Sequence, residues 1–135
     1  MRIIYLLLAA CICAILAGCT EPSNMLEEPQ PTAEYRRITS SRALAMMETE
    51  DDVIILDVRT AAEFGESHIE GALLIPVNDL ERLAPELLPD KEQIILVYCR
   101  SGQRSANAAR ALLNMGYTAV YDFGGIIHWP YGTVN

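Results

Sequence analysis

Ile94-Ile95-Leu96-Val97-Tyr98-Cys99-Arg100-Ser101-Gly102-Gln103-Arg104-Ser105 runs from an unbroken apolar segment into a short polar loop and out into a helix-forming stretch. A continuous apolar run without alternation suits a strand buried on both faces, as in a parallel sheet. Ser101 and Gly102 let the backbone curl so that successive amides face inward, and Gly102 takes positive φ without steric cost. The helix opening at about Arg104 turns its free N–H groups, the positive end of its dipole, back onto the loop. A thiol at its ordinary pKa of ~8.5 is only slightly ionised at neutral pH. Ringed by amides and two guanidinium groups, the thiol reads as a thiolate beside an anion site, stabilised without a histidine base. Cys99 is the candidate nucleophile, with Arg100, Ser101, Gly102, Gln103 and Arg104 as the candidate substrate-binding loop. Two plainer readings stay open at this point: a buried, inert cysteine at a strand end, and two arginines that merely pair with surface carboxylates.

The alternation of short apolar runs with helical patterns extends outward from this stretch. Val53-Ile54-Ile55-Leu56, Ala72-Leu73-Leu74-Ile75 and Ala119-Val120-Tyr121 are also continuous, and a weaker first strand is expected near Tyr35 to Ile38. Ser40 or Ser41 is placed to cap a helix that carries Leu44 and Met47 on one face and ends near Glu50. Leu80, Leu83 and Leu87 have helical spacing, but Pro85 predicts a split into two short turns. Ala106, Ala109 and Leu112-Leu113 predict a helix that Gly116 terminates. The repeated βαβ order predicts an α/β domain with a mostly parallel five-stranded sheet and helices on both faces. Ligands of such sheets bind at the carboxyl edge of the strands, and Cys99 falls on that edge.

The N-terminus has a different character. Met1-Arg2 is a minimal positive region, and Ile3 to Ala17 is an uncharged apolar run too short for a comfortable membrane span. It closes with Leu16-Ala17-Gly18-Cys19, which resembles the bacterial lipoprotein signal motif. The resemblance implies that residues 1–18 are a signal peptide, that Cys19 is lipidated, and that the product is exported and anchored by lipid to the extracytoplasmic face of an envelope membrane. An uncleaved anchor helix is the alternative, and either arrangement tethers the folded part beside a membrane. Residues 19–33 read as an acidic linker bearing Pro22, Pro29 and Pro31, and residues 34–135 as one domain.

This processing changes the cysteine count. Of the 4 cysteines, Cys11 and Cys13 leave with the apolar run and Cys19 is consumed by lipid, so Cys99 is the one free thiol of the mature chain. Small exported domains use cysteines in disulfide pairs, and a lone thiol there reads as chemistry. The whole chain carries 10 basic and 18 acidic residues, a formal charge of −8; loss of residues 1–18, with Arg2 and no acid, leaves 9 against 18, or −9. That balance excludes nucleic acid as a partner. Two arginines within six residues of an acidic domain suit a small anionic substrate instead. His68 and His128 read as structural, and with one Cys they lack metal-ligand spacing, so no metal or cofactor is expected. No heptad or exposed apolar helix stands out, and a monomer is expected.

Four motifs, in order, resemble the single-domain rhodanese family: Leu56-Asp57-Val58-Arg59-Thr60 with Glu63-Phe64; His68-Ile69-Glu70-Gly71-Ala72; Cys99 to Ser105; and Phe123-Gly124-Gly125-Ile126 with Trp129. The resemblance spans about Tyr35 to Trp129 and implies the rhodanese fold. It further implies a sulfurtransferase in which the Cys99 thiolate takes the outer sulfur of a thiosulfate-like donor and passes it, as a persulfide, to a thiol or cyanide acceptor. Arg100 and Arg104 would then hold the donor's oxygens. Asp57 and Arg59 support the site, Arg59 pairing with Glu63, while Phe64 and Trp129 belong to the core. Glu70 stands where many members have proline, and with only Pro130 to Asn135 beyond Trp129 a last helix is expected to be short or absent. A tethered sulfur carrier, redox sensor or partner-binding module without turnover is the alternative from another class. Cysteine phosphatases and arsenate reductases are the enzymatic rival, but phosphatases of this type place five residues between cysteine and arginine, whereas only Arg100 to Gln103 intervene here.

Overall fold

The apolar run that ends in Cys99 is the central strand of a five-stranded sheet. The computed structural model describes residues 33–135, so the expectations for residues 1–18, for Cys11, Cys13 and Cys19, and for nearly all of the 19–33 linker lie outside the described residues. The strands are β1 (Arg36–Arg37), β2 (Ile54–Asp57), β3 (Leu73–Leu74), β4 (Ile95–Cys99) and β5 (Val120–Gly125). Their order is β1-β5-β4-β2-β3 and every ladder is parallel. The helices are α1 (Ser40–Thr49), α2 (Ala61–Glu66), α3 (Leu80–Leu87) and α4 (Gln103–Asn114), with short 3-10 turns at Val77–Asp79 and Ile126–His128.

All five residues of β4 are buried, and alternate residues serve opposite layers. Ile95, Val97 and Cys99 pack with Leu80, Ala84 and Leu88 around α3 and with Ala108, Ala109 and Leu112 of α4. Leu96 and Tyr98 face the other way, onto Ala43 and Met46 of α1 and onto Phe123. Each such side chain contributes roughly 1.5–3 kcal/mol on burial, which explains a strand with no polar alternation. The parity also puts Cys99 on the α4 side, level with that helix's first turn.

Several local expectations are corrected. Thr39, not Ser40 or Ser41, caps α1, its Oγ1 accepting from Arg42 N at 3.1 Å, and the buried face is Ala43 and Met46 while Leu44 and Met47 are half-exposed. Pro85 does not split its segment. It lies within α3 at an exposed position, where water can satisfy the carbonyl it leaves unbonded, while Leu80, Ala84 and Leu88 hold the inner face and the Tyr117 hydroxyl meets the Ala84 and Leu88 carbonyls at 3.0 and 2.7 Å. The last strand is longer than its apolar core, because Asp122 stays in the ladder. A register shift between Val97 and Tyr98 leaves Phe123 as an extra residue, and the Asp122 carboxylate accepts the Gly124 N–H at 2.9 Å to close that bulge. Beyond Trp129 there is no helix, and Val134 instead bridges antiparallel to His68.

Candidate functional site at the end of the central strand

Cys99 ends β4 and is 1 % exposed, with its sulfur inside the turn that the next residues make. Gly102 adopts φ 110°, a conformation open to glycine, and this rotates its N–H onto Cys99 Sγ at 3.0 Å. Ser105, in the first turn of α4, places Oγ 3.6 Å from the sulfur and 3.0 Å from the Gly102 carbonyl. The loop rests on the end of β5, where Gly125 has no side chain: a Cβ there would stand 2.7 Å from Ser101 Cα.

Burial pushes the Cys99 thiol up, but the N–H groups of Ser105, Gly102 and Ser101 and the Ser105 hydroxyl outweigh it, and the net shift is downward. The α4 N-terminus adds its dipole to those hydrogen bonds. No histidine takes part. His68 stacks on Phe64 with centroids 3.8 Å apart and hydrogen bonds through Nδ1 to the Phe64 carbonyl, and the His128 carbonyl accepts from Ser40. Phe64 therefore packs on a histidine rather than in the core, whereas Trp129 packs against Phe123 on the α1 side.

The charged groups are arranged differently from the expected Arg59–Glu63 pair. Asp57 is fully buried and takes Arg59 as a fork, with Arg59 Nη2 at 2.7 Å from Oδ2, while a second Nη2 bond reaches the Ser67 carbonyl at 2.7 Å. Arg59 lies two residues along the same strand exit, so a short turn suffices, and its cation also sits over the Tyr98 ring. Glu63 instead turns to Arg104, with both guanidinium nitrogens 2.8 Å from its oxygens. The Arg104 guanidinium, helped by the Thr60 N–H and hydroxyl, holds the Glu63 carboxyl at about 2. Arg100 is exposed and makes no side-chain hydrogen bond or ion pair among the described residues, and Gln103 is exposed at the start of α4. The structure thus turns the backbone N–H groups of Ser101 and Gly102 onto Cys99, places Arg104 in the first turn of α4 with its guanidinium on Glu63, and leaves the Arg100 and Gln103 side chains exposed.

Ser105, in sequence the end of the loop motif, has its hydroxyl on the sulfur, a role the motif does not assign. Glu63 reaches Arg104, not the expected Arg59, because Thr60 and Glu63 form a capping box on α2, a spacing visible in Thr60-Ala61-Ala62-Glu63. Arg37 and its partner Asp122 lie on neighbouring strands, and no local pattern announces them.

Residues 39–129 match the family model described as the rhodanese-like domain. The chain belongs to that family. It is 35 % identical over 71 residues to the thiosulfate sulfurtransferase PspE of Escherichia coli (strain K12), covering 53 % of this chain and 68 % of that protein. It is 32 % identical over 96 residues to the thiosulfate sulfurtransferase GlpE of Coxiella burnetii (strain RSA 331 / Henzerling II), covering 70 % and 87 %. Among solved structures, a rhodanese with anions from E. coli superposes with a TM-score of 0.58 at 31 % identity, over 62 % of this chain and 98 % of that one. The fold is rhodanese-like, and its relatives include sulfurtransferases.

Proposed function

We propose that this chain is a sulfurtransferase that moves sulfane sulfur from a thiosulfate-like donor through a Cys99 persulfide. The observation that carries this reading is a buried sulfur with a backbone N–H on it at 3.0 Å and a thiol shifted toward the thiolate in spite of burial. In the first step Cys99 Sγ attacks the outer sulfur of the donor. The donor's S–S bond breaks, its electron pair leaves with sulfite, and a Cys99 persulfide forms inside the amide-lined turn. In the second step a thiolate or cyanide acceptor attacks the outer sulfur, and the bonding electrons return to Cys99 as thiolate. No proton has to be delivered to the leaving group, which suits a loop without an acid or base in contact with the sulfur.

The engagement of Arg104 favours sulfur over phosphate chemistry. Its two Nη atoms are both committed to Glu63, so it does not present the open fork that a phosphoryl group needs. Export and lipid anchoring through Cys19 belong to the same proposal and are supported by Leu16-Ala17-Gly18-Cys19. A Cys19→Ala chain is then expected to accumulate as unprocessed precursor, and normal processing would overturn the anchor. For the chemistry, the full chain is incubated with thiosulfate and cyanide and thiocyanate is measured. Wild type produces it, and Cys99→Ser does not. Sulfur loaded on Cys99 but passed to neither cyanide nor a thiol would make the protein a carrier without turnover, while hydrolysis of an aryl phosphate with no sulfur loading would refute sulfur chemistry altogether.

A further inference from the structure

Arg37 lies outside the loop in sequence but against it in space. It pairs in register with Asp122, which pairs with Val97, and Val97 shares the α4 side of the sheet with Cys99. Its Nη1 is 3.1 Å from Asp122 Oδ2, and that fully buried carboxylate is also gripped by the Tyr35 hydroxyl at 2.6 Å and the Gly124 N–H at 2.9 Å. The guanidinium covers the two open glycine faces: Nη2 would stand 3.1 Å from a Cβ at Gly102 and 2.7 Å from one at Gly124. Gly102 is the residue whose N–H touches Cys99 Sγ. The side chain is nevertheless 52 % exposed, and Asp122 takes one of its five N–H groups through Nη1.

The other cations at this site differ. Arg59 is buried in its fork with Asp57, Arg104 has both Nη atoms on Glu63, and the exposed Arg100 side chain has no hydrogen bond or ion pair among the described residues. Arg37 alone among these four is both held in place and open. We infer that Arg37 is a binding residue for the oxyanion end of the sulfur donor, so that donors carrying a sulfonate are preferred over those without one. Donor chemistry is the part of this inference that rests on the sulfur-transfer reading; attraction of an anion to the Cys99 rim does not.

Two measurements on the full chain separate these. The first compares alkylation of Cys99 by iodoacetate, an anion, with alkylation by neutral iodoacetamide. Arg37→Gln is expected to lower the iodoacetate-to-iodoacetamide rate ratio by roughly three- to tenfold, and Arg37→Lys to retain most of it, because the lysine keeps a cation opposite Asp122. The second compares kcat/KM for thiosulfate and for an alkyl persulfide. Both variants are expected to lower that ratio, about tenfold for Gln and less for Lys, with the thiosulfate change mainly in KM. Unchanged ratios, with all rates falling together, would mean that Arg37 only buttresses the loop and would overturn the inference. A changed alkylation ratio in a protein that loads sulfur from neither donor would overturn the sulfur-transfer reading and the donor preference while supporting the anion site. Should Arg37→Gln not fold, the lysine variant alone decides: a higher KM for thiosulfate with that for the alkyl persulfide unchanged supports the inference, and no change in either overturns it.

Discussion

Gly125→Ala isolates what the loop's seat contributes to the thiol. Gly125 has φ −110° and ψ 140°, extended backbone that alanine adopts freely, so the substitution introduces no local strain. The added Cβ would stand 2.7 Å from Ser101 Cα and meet the Arg100 backbone more closely still. Ordinary carbon–carbon contact is ~3.5–4.0 Å, so the loop must retreat by roughly 1 Å, and both sides of the clash are backbone with no side chain to swing away. A retreat of that size carries the Gly102 N–H from 3.0 Å to the limit of hydrogen bonding with Cys99 Sγ. A hydrogen bond to a charged group is worth about 1.5–3 kcal/mol, or one to two pKa units for the group it stabilises. The pH profile of iodoacetamide alkylation should therefore shift upward by about one to two units. Overpacking should cost about 1–3 kcal/mol in stability, read as a lower Tm. Gly65→Ala is the control, because nothing lies within 4 Å of a Cβ there. A Gly125→Ala protein with an unaltered alkylation profile would refute the claim that the seated loop amides lower the Cys99 pKa.

Further outcomes follow from the charged and hydroxyl groups. Arg59→Met leaves the Asp57 carboxylate buried without its fork, so unfolding by urea should show a loss of about 3–5 kcal/mol. The Glu63–Arg104 bridge has a pH signature: with the carboxyl held at about 2 against an ordinary 4.5, its stabilisation is complete above 4.5 and disappears as pH falls toward 2. Glu63→Gln should therefore be less stable than wild type at pH 6 and differ little from it near pH 2, as measured by thermal melts. Tyr117→Phe removes the hydroxyl that meets the Ala84 and Leu88 carbonyls in a buried setting, and about 1–3 kcal/mol should be lost without change in Cys99 alkylation.

How legible this molecule is from its residues depends on the range of the interactions. The continuous apolar runs at 53–56, 72–75 and 94–98 announce buried parallel strands because both of their faces are covered, and the loop after Cys99 is read from neighbours in sequence. Gly102 at positive φ and a helix starting one residue later are consequences of the same short stretch. Ion-pair choice was not legible in this way. Glu63 had Arg59 four residues away and took Arg104, 41 residues on, because Asp57 already held Arg59 from inside the strand end. The Arg37–Asp122 contact depends on β1 and β5 becoming neighbours at one edge of the sheet, a pairing across 85 residues that no periodicity encodes. The effect of Pro85 is illegible in sequence for a related reason: it depends on whether the unbonded carbonyl faces water, which the fold decides.

Mass spectrometry of the intact chain after incubation with thiosulfate tests the central claim most directly. The account predicts a gain of one sulfur, mapped to Cys99, released by cyanide and absent from Cys99→Ser. A wild-type chain that remains unmodified with thiosulfate and with an alkyl persulfide, while Cys99 alkylates readily, would contradict it.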